Sequence, residues 1–590
     1  MKNFLKYTLA TIVGFTLTQI IGFLVFMAII GAIVGSAEDK VVDIKPNSVL
    51  KITLDNPVTE RTSKNPFENI NWMNMQSEQK LGLNDILKNL KNAAKDENIK
   101  GIYLEVDAVP AGIATIQEIR EALLKFKESG KFIIAYSDMY SQTAYYMVSV
   151  ADKIYMNPEG LLELKGLGAE MMFFKNALAK LGVEPQIIRH GKFKSAVEPF
   201  MLEKMSDANR EQTMTYLQSI WDHILDGISN SRGISVSDLN MYADSMKITN
   251  AQAAVDYKLL DGTKYKDEII SELKELSGTA NDKDIEFISL SKYTNAPEIK
   301  DYKGLAKDKI AVIYGTGQID MGDGSTETIG SEGLSKAIRE ARKDSSIKAI
   351  VLRVNSPGGS ALASEVIWRE MTLAKKVKPV IVSMGDVAAS GGYYISAPAD
   401  VILANENTIT GSIGVFGVLW NGQELLNEKL GVTIDVAKTN AHSDIGSVYR
   451  KMTNSERSVI QHEVENVYDV FIGHVAEGRK MTKAEVDSIG QGRVWSGKNA
   501  MDIGLIDKFG GISEAIEIAK EKAGLENFRV VELPKLEDPI EQMLKEFTGE
   551  AEASVLKKNL GESYIYYKRL QNLTKMKGIQ ARLPFEVDIY

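Results

Sequence analysis

The hydrophobic positions of the chain fall into short β-rich runs that alternate with longer stretches of helical pattern. In the second half, residues 310–314, 349–354 and 380–383 are apolar and β-branched, and residues 335–342 and 361–375 have the helical pattern. Strands that alternate with helices are typical of an α/β fold with mostly parallel strands. We therefore expect an α/β fold whose catalytic groups lie on the loops at strand ends.

The N-terminal region has the longest uncharged stretch. Lys2 and Lys6 precede residues 7–37, which contain no charged residue. A helix of this length exceeds the hydrocarbon core of a bilayer, about 30 Å thick. The pattern predicts a transmembrane helix with a cytoplasmic N-terminus, because positive charge precedes it and Glu38-Asp39 follows it. A cleavable signal peptide ending near residues 35–37 is the alternative, although its apolar part is usually about 7 to 15 residues. Both interpretations place the remaining chain outside the cytoplasm.

The chain also contains an internal repeat, which is visible when it is aligned with itself at a shift of 248 residues. Residues 100–106 then match residues 348–354 in pattern, and Tyr145-Tyr146 falls on Tyr393-Tyr394. Such a run of matches predicts two homologous α/β domains. The predicted organisation is an N-terminal transmembrane anchor (1–37), a first repeat (45–295), a second repeat (308–535) and a C-terminal tail (536–590).

The composition of the chain argues against several classes of function. The chain has 590 residues and a net charge of −9, with no basic stripe, so nucleic acid is not an expected partner. Cysteine is absent, which excludes disulfides and thiolate chemistry. The five histidines lack the spacing of metal ligands, and no metal or other cofactor is expected.

The two repeats differ at the places where chemistry is expected. In the second repeat, Ser390 follows an apolar run and precedes Gly391, whereas the first repeat has Gln142-Thr143 at the matching positions. The second repeat alone carries paired glycines, Gly358 and Gly359, directly after a strand. A serine nucleophile needs backbone N–H donors for the developing oxyanion, and glycine lets the backbone approach closely. Ser390 is the candidate nucleophile, and Gly359 and Gly391 are the candidate donors.

Two residues could act as the general base for Ser390. His442 lies in the same repeat with Asp444 nearby as a possible orienting group. The other candidate is Lys194 of the first repeat, which aligns with Ser443. A lysine base must be neutral, so burial has to lower its pKa from about 10.4. If Lys194 is the base, each repeat lacks part of the machinery, which indicates a composite site.

Four segments carry a resemblance to a known family: residues 193–199, 355–359, 385–394 and 410–414. With these motifs the chain resembles the long, two-repeat bacterial form of the signal peptide peptidase A family, a group of membrane-anchored serine proteases. The resemblance implies tandem domains of the Clp-protease/crotonase-like fold.

The resemblance also implies a role for each matching residue. Ser390 matches the nucleophile and Lys194 the general base of a Ser/Lys dyad. Gly359 and Gly391 match the oxyanion donors, and Ser412 matches a serine that helps to hold the lysine. Single-repeat relatives place their lysine at the position of Ser443, which cannot act as a base.

For the whole protein, the resemblance implies a homotetramer on the bacterial inner membrane, with its catalytic body on the periplasmic or extracytoplasmic side. Its substrates would be peptides, the signal peptides that remain after preprotein processing. Neither a metal nor a nucleotide is implied. The side-chain preference of the substrate pockets and the role of the tail stay open.

Two other functions compete with this interpretation. A crotonase-like acyl-CoA enzyme would use the same oxyanion loops, but the serine nucleophile and the predicted anchor argue against it. The other is a non-catalytic, membrane-anchored assembly platform in which both repeats are degenerate. The first repeat fits that description, whereas the motifs of the second repeat do not.

Overall fold

The computed structural model describes residues 2–36, 41–63, 70–71, 76–77, 80–299, 306–536 and 579–583. Over these residues the chain has the predicted α/β fold, in which each repeat contributes one mainly parallel sheet and a third sheet joins the two. The boundaries given above for the repeats and the tail stay predictions.

The first repeat is built on a six-stranded parallel sheet with the strand order β8-β6-β5-β4-β1-β9. The strands of this half of the chain are β1 (Ser48–Ile52), β2 (Ile70–Asn71), β3 (Gln76–Ser77), β4 (Ile99–Leu104), β5 (Phe132–Tyr140), β6 (Lys153–Leu162), β7 (Glu184–Arg189), β8 (Gly262–Thr263) and β9 (Phe287–Ser289). The helices are α1 (Lys2–Ser36), α2 (Leu83–Lys95), α3 (Ile113–Lys127), α4 (Gln142–Val148), α5 (Lys175–Leu181), α6 (Glu198–Met201), α7 (Asp207–Arg232), α8 (Val236–Asp244), α9 (Ala251–Asp256), α10 (Lys266–Ser277) and α11 (Leu290–Tyr293), with a 3₁₀ turn at Ser195–Val197.

The second repeat has an eight-stranded sheet with the order β19-β17-β15-β13-β10-β21, and β16 and β20 extend it from β15. The strands of this half of the chain are β10 (Lys309–Thr316), β11 (Gln318–Asp320), β12 (Thr328–Gly330), β13 (Ile347–Ser356), β14 (Gly358–Ser360), β15 (Val380–Ala389), β16 (Val401–Ala404), β17 (Ile409–Gly411), β18 (Phe416–Asn421), β19 (Val494–Ser496), β20 (Lys508–Phe509), β21 (Arg529–Leu533) and β22 (Ile579–Arg582). The helices are α12 (Ser331–Lys343), α13 (Ala361–Lys375), α14 (Gly391–Ser396), α15 (Asn454–Arg479), α16 (Lys483–Ile489), α17 (Gly497–Asp502) and α18 (Ile512–Lys522), with a π-helix at Leu425–Lys429.

Matching elements occur at the shift found in the sequence. Helices α2 and α12 begin 248 residues apart, at Leu83 and Ser331, and so do α3 and α13. The aligned tyrosines make the same contact, because Tyr145 donates a hydrogen bond to the carbonyl of Leu259 and Tyr393 to that of Leu505, both at 2.7 Å. The two repeats are therefore copies of one structural unit.

The central strands of the second repeat explain why the apolar runs are continuous rather than alternating. Side chains of β13 and β15 are buried on both faces, with only a few exceptions at the strand ends. Helices cover a mainly parallel sheet on both sides, so both faces must be apolar. Ser360 begins α13 by accepting a hydrogen bond from the backbone N–H of Ala363, an N-cap contact.

A buried group of charges joins the repeats behind the catalytic loops. Arg353 of β13 has no exposed surface and forms ion pairs with Glu60 at 2.8 Å and Glu118 at 2.7 Å, both from the first repeat. Asp386 of β15 accepts hydrogen bonds from the backbone N–H and the hydroxyl of Thr115 on α3. Burial raises the pKa of Glu118 and of Asp386. These contacts fix α3 against the strand that leads to Ser390.

The N-terminal helix α1 runs from Lys2 to Ser36. Across the side chains that the structure describes, no helix is both long enough and apolar enough to cross a membrane. The predicted membrane span is therefore not confirmed.

Candidate active site

Ser390 lies at the turn between β15 and α14. Its backbone has φ 55° and ψ −113°, a conformation that non-glycine residues rarely adopt and that is often found at functional sites. The next two residues must be small, because a Cβ on Gly391 would lie 2.7 Å from the Ser364 hydroxyl and one on Gly392 would lie 2.7 Å from the Ser356 carbonyl. The turn thus presents the serine hydroxyl at the carboxyl end of the sheet.

Lys194 reaches the same place from the first repeat, on the loop between β7 and the 3₁₀ turn. Gly492 makes this approach possible, because a Cβ on that residue would lie 2.6 Å from the Lys194 Cα. Gln212 of α7 holds the loop by donating to the Phe193 carbonyl at 3.2 Å and the Ser195 hydroxyl at 2.8 Å. Sequence reasoning did not identify Gln212 or Gly492, because neither belongs to a recognisable motif.

The structure brings together Lys194, Ser390 and Ser412. The Lys194 Nζ lies 2.9 Å from Ser390 Oγ, 3.0 Å from Ser412 Oγ and 3.2 Å from the Ser412 carbonyl. None of the three residues has exposed surface. The distance from amine to hydroxyl is within the range required for direct proton transfer.

Burial sets the charge state of this amine. Desolvation lowers the pKa of Lys194 well below its usual value of 10.5. Among the described residues, no carboxylate forms an ion pair with it, and its polar partners are hydroxyls and a carbonyl. The amine can therefore be neutral at a pH where an exposed lysine is protonated.

The paired glycines lie beside the nucleophile. Gly358 has φ 90°, and a Cβ there would lie 2.6 Å from the Gly391 backbone nitrogen. Gly359 is in β14, where a Cβ would lie 2.0 Å from the Ile319 carbonyl oxygen. Of the two sequence-predicted donors, Gly391 directly follows Ser390, and Gly359 directly follows Gly358, the glycine that is in contact with Gly391. Their role as oxyanion donors stays a prediction.

His442 lies elsewhere and has other partners. Its side chain is 55% exposed and contacts Glu456 at 3.1 Å. Asp444, the possible orienting group, pairs instead with Arg450 at 2.7 Å. Ser443 is exposed. The structure therefore does not assemble a triad of these residues around the buried Ser390.

The sequence profile described as peptidase family S49 matches the chain twice, over residues 125–280 and 372–526. The chain belongs to peptidase family S49. Each match falls within one of the two repeats, which agrees with the duplication seen in the sheets.

Three relatives illustrate the membership. "Serine protease SPPA, chloroplastic" of Arabidopsis thaliana is 32% identical over 92% of this chain and 78% of its own length. "Protease 4" of Haemophilus influenzae is 34% identical over 85% and 83%, respectively. "Putative signal peptide peptidase SppA" of Enterococcus faecium is 37% identical over 39% of this chain and 68% of its own. The S49 protein is thus a serine peptidase.

A solved structure of a ClpP1 mutant from Listeria monocytogenes aligns with 35% of this chain and 94% of its own, with 14% identity and a TM-score of 0.24. At that score the likeness carries no argument about this S49 protein. The α/β assignment rests on the sheets described above.

The burial of Lys194 predicts a pH-dependent stability. Between the lowered pKa of the folded state and the value of 10.5 in the unfolded chain, unfolding takes up one proton, so this residue destabilises the folded state more as the pH falls. Lys194→Met removes the ionisable group at similar length. We expect the variant to have the higher melting temperature, with a difference that shrinks as the pH rises from 6 to 9. A difference that is constant with pH would contradict the neutral, buried amine.

Proposed function

We propose that this S49 peptidase cleaves peptides with a Ser/Lys dyad formed by Ser390 and Lys194, one residue from each repeat. The observation that supports it is the 2.9 Å contact between the Lys194 amine and the Ser390 hydroxyl in a fully buried site. A buried lysine with a lowered pKa can accept a proton at neutral pH, which a nucleophilic serine requires.

The reaction follows the acyl-transfer sequence. The neutral Lys194 amine takes the Oγ proton while Oγ of Ser390 attacks the scissile carbonyl carbon. The C–N bond then breaks, and the lysine ammonium gives its proton to the departing amine. Water next attacks the acyl ester, again with proton transfer to Lys194, and releases the new carboxylate and the free serine. Ser412 holds the amine in line throughout.

The developing oxyanion needs two donors close to Ser390. In the proposed mechanism these are the backbone N–H groups of Gly359, in β14, and of Gly391, at the start of α14. A preorganised donor of this kind contributes on the order of 10²- to 10³-fold to the rate in serine peptidases. The support for this assignment is the contact between the two segments, because a Cβ on Gly358, the residue before Gly359, would lie 2.6 Å from the Gly391 backbone nitrogen.

The proposed substrates are signal peptides already released from preproteins. The support is the name of the Enterococcus relative, signal peptide peptidase, and the depth of the dyad below the protein surface. A folded protein cannot present a carbonyl carbon to a serine with no exposed surface.

Replacement of the dyad tests the mechanism. We expect Ser390→Ala and Lys194→Ala to abolish hydrolysis of a fluorogenic peptide, whereas His442→Ala keeps near-normal activity because His442 is exposed and bound to Glu456. Circular dichroism of each variant verifies that it is folded. Substantial activity in folded Lys194→Ala would eliminate the dyad.

The proposed location is the bacterial inner membrane, with the catalytic body outside the cytoplasm. The support is the sequence of residues 7–37, which has no charged residue and follows two lysines. We expect the full chain to remain in the membrane pellet after alkaline carbonate extraction and a chain beginning at residue 41 to be soluble. In spheroplasts, added protease should degrade the body of the full chain. Recovery of the full chain in the carbonate supernatant would refute the anchor.

We also propose a homotetramer. The surface of the second repeat that binds α3 has an equivalent in the first repeat, and that equivalent surface is open. In the chain, α3 packs on the second repeat through Thr115 and its partner Asp386. The position equivalent to Asp386 is Asp138, which lines a cavity of about 610 Å³ in the first repeat. Repetition of the internal contact would place α13 of another copy in that cavity.

Helix α13 has the surface that such a contact needs. Leu362 and Val366, one turn apart, are 63% and 37% exposed. Arg369 is exposed on the next turn. The facing cavity is lined by more carboxylates than lysines, with Asp55, Asp107 and Asp138 among the former. An apolar stripe followed by a cation complements this acidic pocket. Because the two surfaces differ, the contact is head-to-tail and can close into a ring.

A charge on α13 tests the assembly. Leu362→Asp places a carboxylate against the acidic cavity, so we expect light scattering to show a shift from tetramer toward monomer. Leu430→Asp, at another exposed leucine (61%), is the matched control and should leave the mass unchanged. A Leu362→Asp protein that stays tetrameric would exclude this contact.

A further inference from the structure

The sheet that joins the repeats contains a strand from the far end of the chain. Its strand order is β12-β11-β14-β22-β18-β7, so β22 lies between two elements of the second repeat. It is antiparallel to both, with Gly359 opposite Ala581 and Phe416 opposite Gln580. The Leu583 N–H extends this pairing by donating to the Pro357 carbonyl at 2.7 Å. Without β22 the sheet would have an empty slot one strand wide.

The slot runs directly beside the dyad. The Ala581 carbonyl oxygen would lie 2.2 Å from a Cβ on Gly358 and 3.0 Å from one on Gly391, the residue after the nucleophile. That oxygen therefore lies between the two glycine loops that border Ser390. On the other side, β18 begins at Phe416, four residues after Ser412, which holds the lysine.

The segment is also bound along its whole length. Residues 580–583 are all buried, and Ala581 keeps 1% of its surface exposed. With β22 in place, neither Ser390 nor Lys194 has any exposed surface. The described structure therefore has no open route by which a second peptide could reach the serine hydroxyl.

An extended peptide that adds a strand to exposed sheet edges is a common mode of peptide recognition, in which backbone hydrogen bonds supply affinity and pockets for alternate side chains supply specificity. Residues 579–583 have this arrangement against β14 and β18. We propose that they form a tethered pseudo-substrate that occupies the peptide-binding slot and holds the enzyme closed. This inference rests on the proposed function and identifies how its substrate binds.

The register of β22 also predicts a side-chain preference. Ala581, whose carbonyl lies at the glycine loops, is packed into the hydrophobic core of the second repeat. A larger side chain at that position would have to displace packed groups, which is costly in a close-packed interior. The slot should therefore favour peptides with a small residue at the position of Ala581, antiparallel to β14.

A tethered segment competes with free substrate because it belongs to the same chain, so that dilution does not lower its effective concentration. A free substrate binds only the fraction of molecules whose slot is open, so its apparent affinity falls in proportion to that fraction. Removal of the segment should increase access to Ser390 without any change in the dyad itself.

The first experiment compares the full chain with a chain ending at residue 578, using the rate of covalent labelling of Ser390 by a fluorophosphonate probe. We expect labelling to be about tenfold faster or more without the segment, because the slot is open in only a small fraction of the full-length molecules. Equal labelling rates in two folded proteins would overturn the inference while leaving the dyad intact. Ser390→Ala in both backgrounds verifies the labelled residue.

A substitution within the full chain separates occupancy of the slot from the effects of truncation. Ala581→Arg cannot fit the buried position, so it should accelerate labelling as truncation does. Ala280→Arg, the same change at an exposed alanine of the first repeat, is the matched control and should label like the unmodified chain. Slow labelling of Ala581→Arg with normal folding would count against the proposal.

Binding tests the proposal even if the dyad assignment fails. A labelled synthetic peptide with the sequence of residues 577–585 is titrated against the Ser390→Ala chain that ends at residue 578. We expect saturable binding by fluorescence anisotropy, and at least tenfold weaker binding of a peptide with arginine in place of Ala581, which corresponds to about 1.4 kcal/mol. Absence of binding by the first peptide, or equal binding of both, would refute the pseudo-substrate.

Discussion

Burying the amine of Lys194 against Ser390 requires two surfaces, one from each repeat, to meet with no space for water. The amine has hydroxyl and carbonyl partners, and its pKa is lowered by desolvation alone. A neighbouring carboxylate would raise the pKa again and restore the positive charge. In the proposed mechanism, the basicity of Lys194 depends on the exclusion of water and negative charge from the junction as much as on the residues that meet there.

The two repeats must keep a fixed relative position at this junction, and a group of buried charged side chains holds them there. Arg353 pairs with two carboxylates of the first repeat, and all three groups are buried. Burial makes such pairs a weak source of net stability, but removal of one partner leaves an uncompensated charge at a cost of about 3 to 5 kcal/mol. Only one relative position of the repeats satisfies every member. The cluster therefore favours the alignment of the repeats in which Lys194 meets Ser390.

The parts of the candidate site that depend on local chemistry could be predicted from the sequence. The small-residue turn at Ser390 and the paired glycines follow strands, so their place at the strand ends could be predicted. From the residues alone Lys194 was one of two candidate bases, and the resemblance to the signal peptide peptidase A family favoured it. His442 was an equally plausible base from the residues alone. The structure leaves His442 exposed and in contact with Glu456, whereas Ser390 is fully buried.

Other features depend on tertiary contacts that no sequence pattern predicts. Gln212 and Gly492 support Lys194 by their position in three dimensions, and neither lies near it in the sequence. The four residues of β22 are too few for a recognisable alternation, and their partners lie more than 150 residues earlier. The membrane span was predicted from composition alone and stays a prediction.

The charged residues that differ between the two repeats differ in a way that avoids electrostatic repulsion. Where the second repeat has Arg353, the first has Glu105, and where α3 has Glu118, α13 has Val366. Glu118 pairs with Arg353 inside the chain, so an acid at the position of Val366 would face Glu105 in the equivalent contact and be repelled. Its replacement by an apolar residue removes that conflict. The paired changes are compatible with the proposed tetramer, in which one of the two equivalent surfaces binds within the chain and the other binds a second copy.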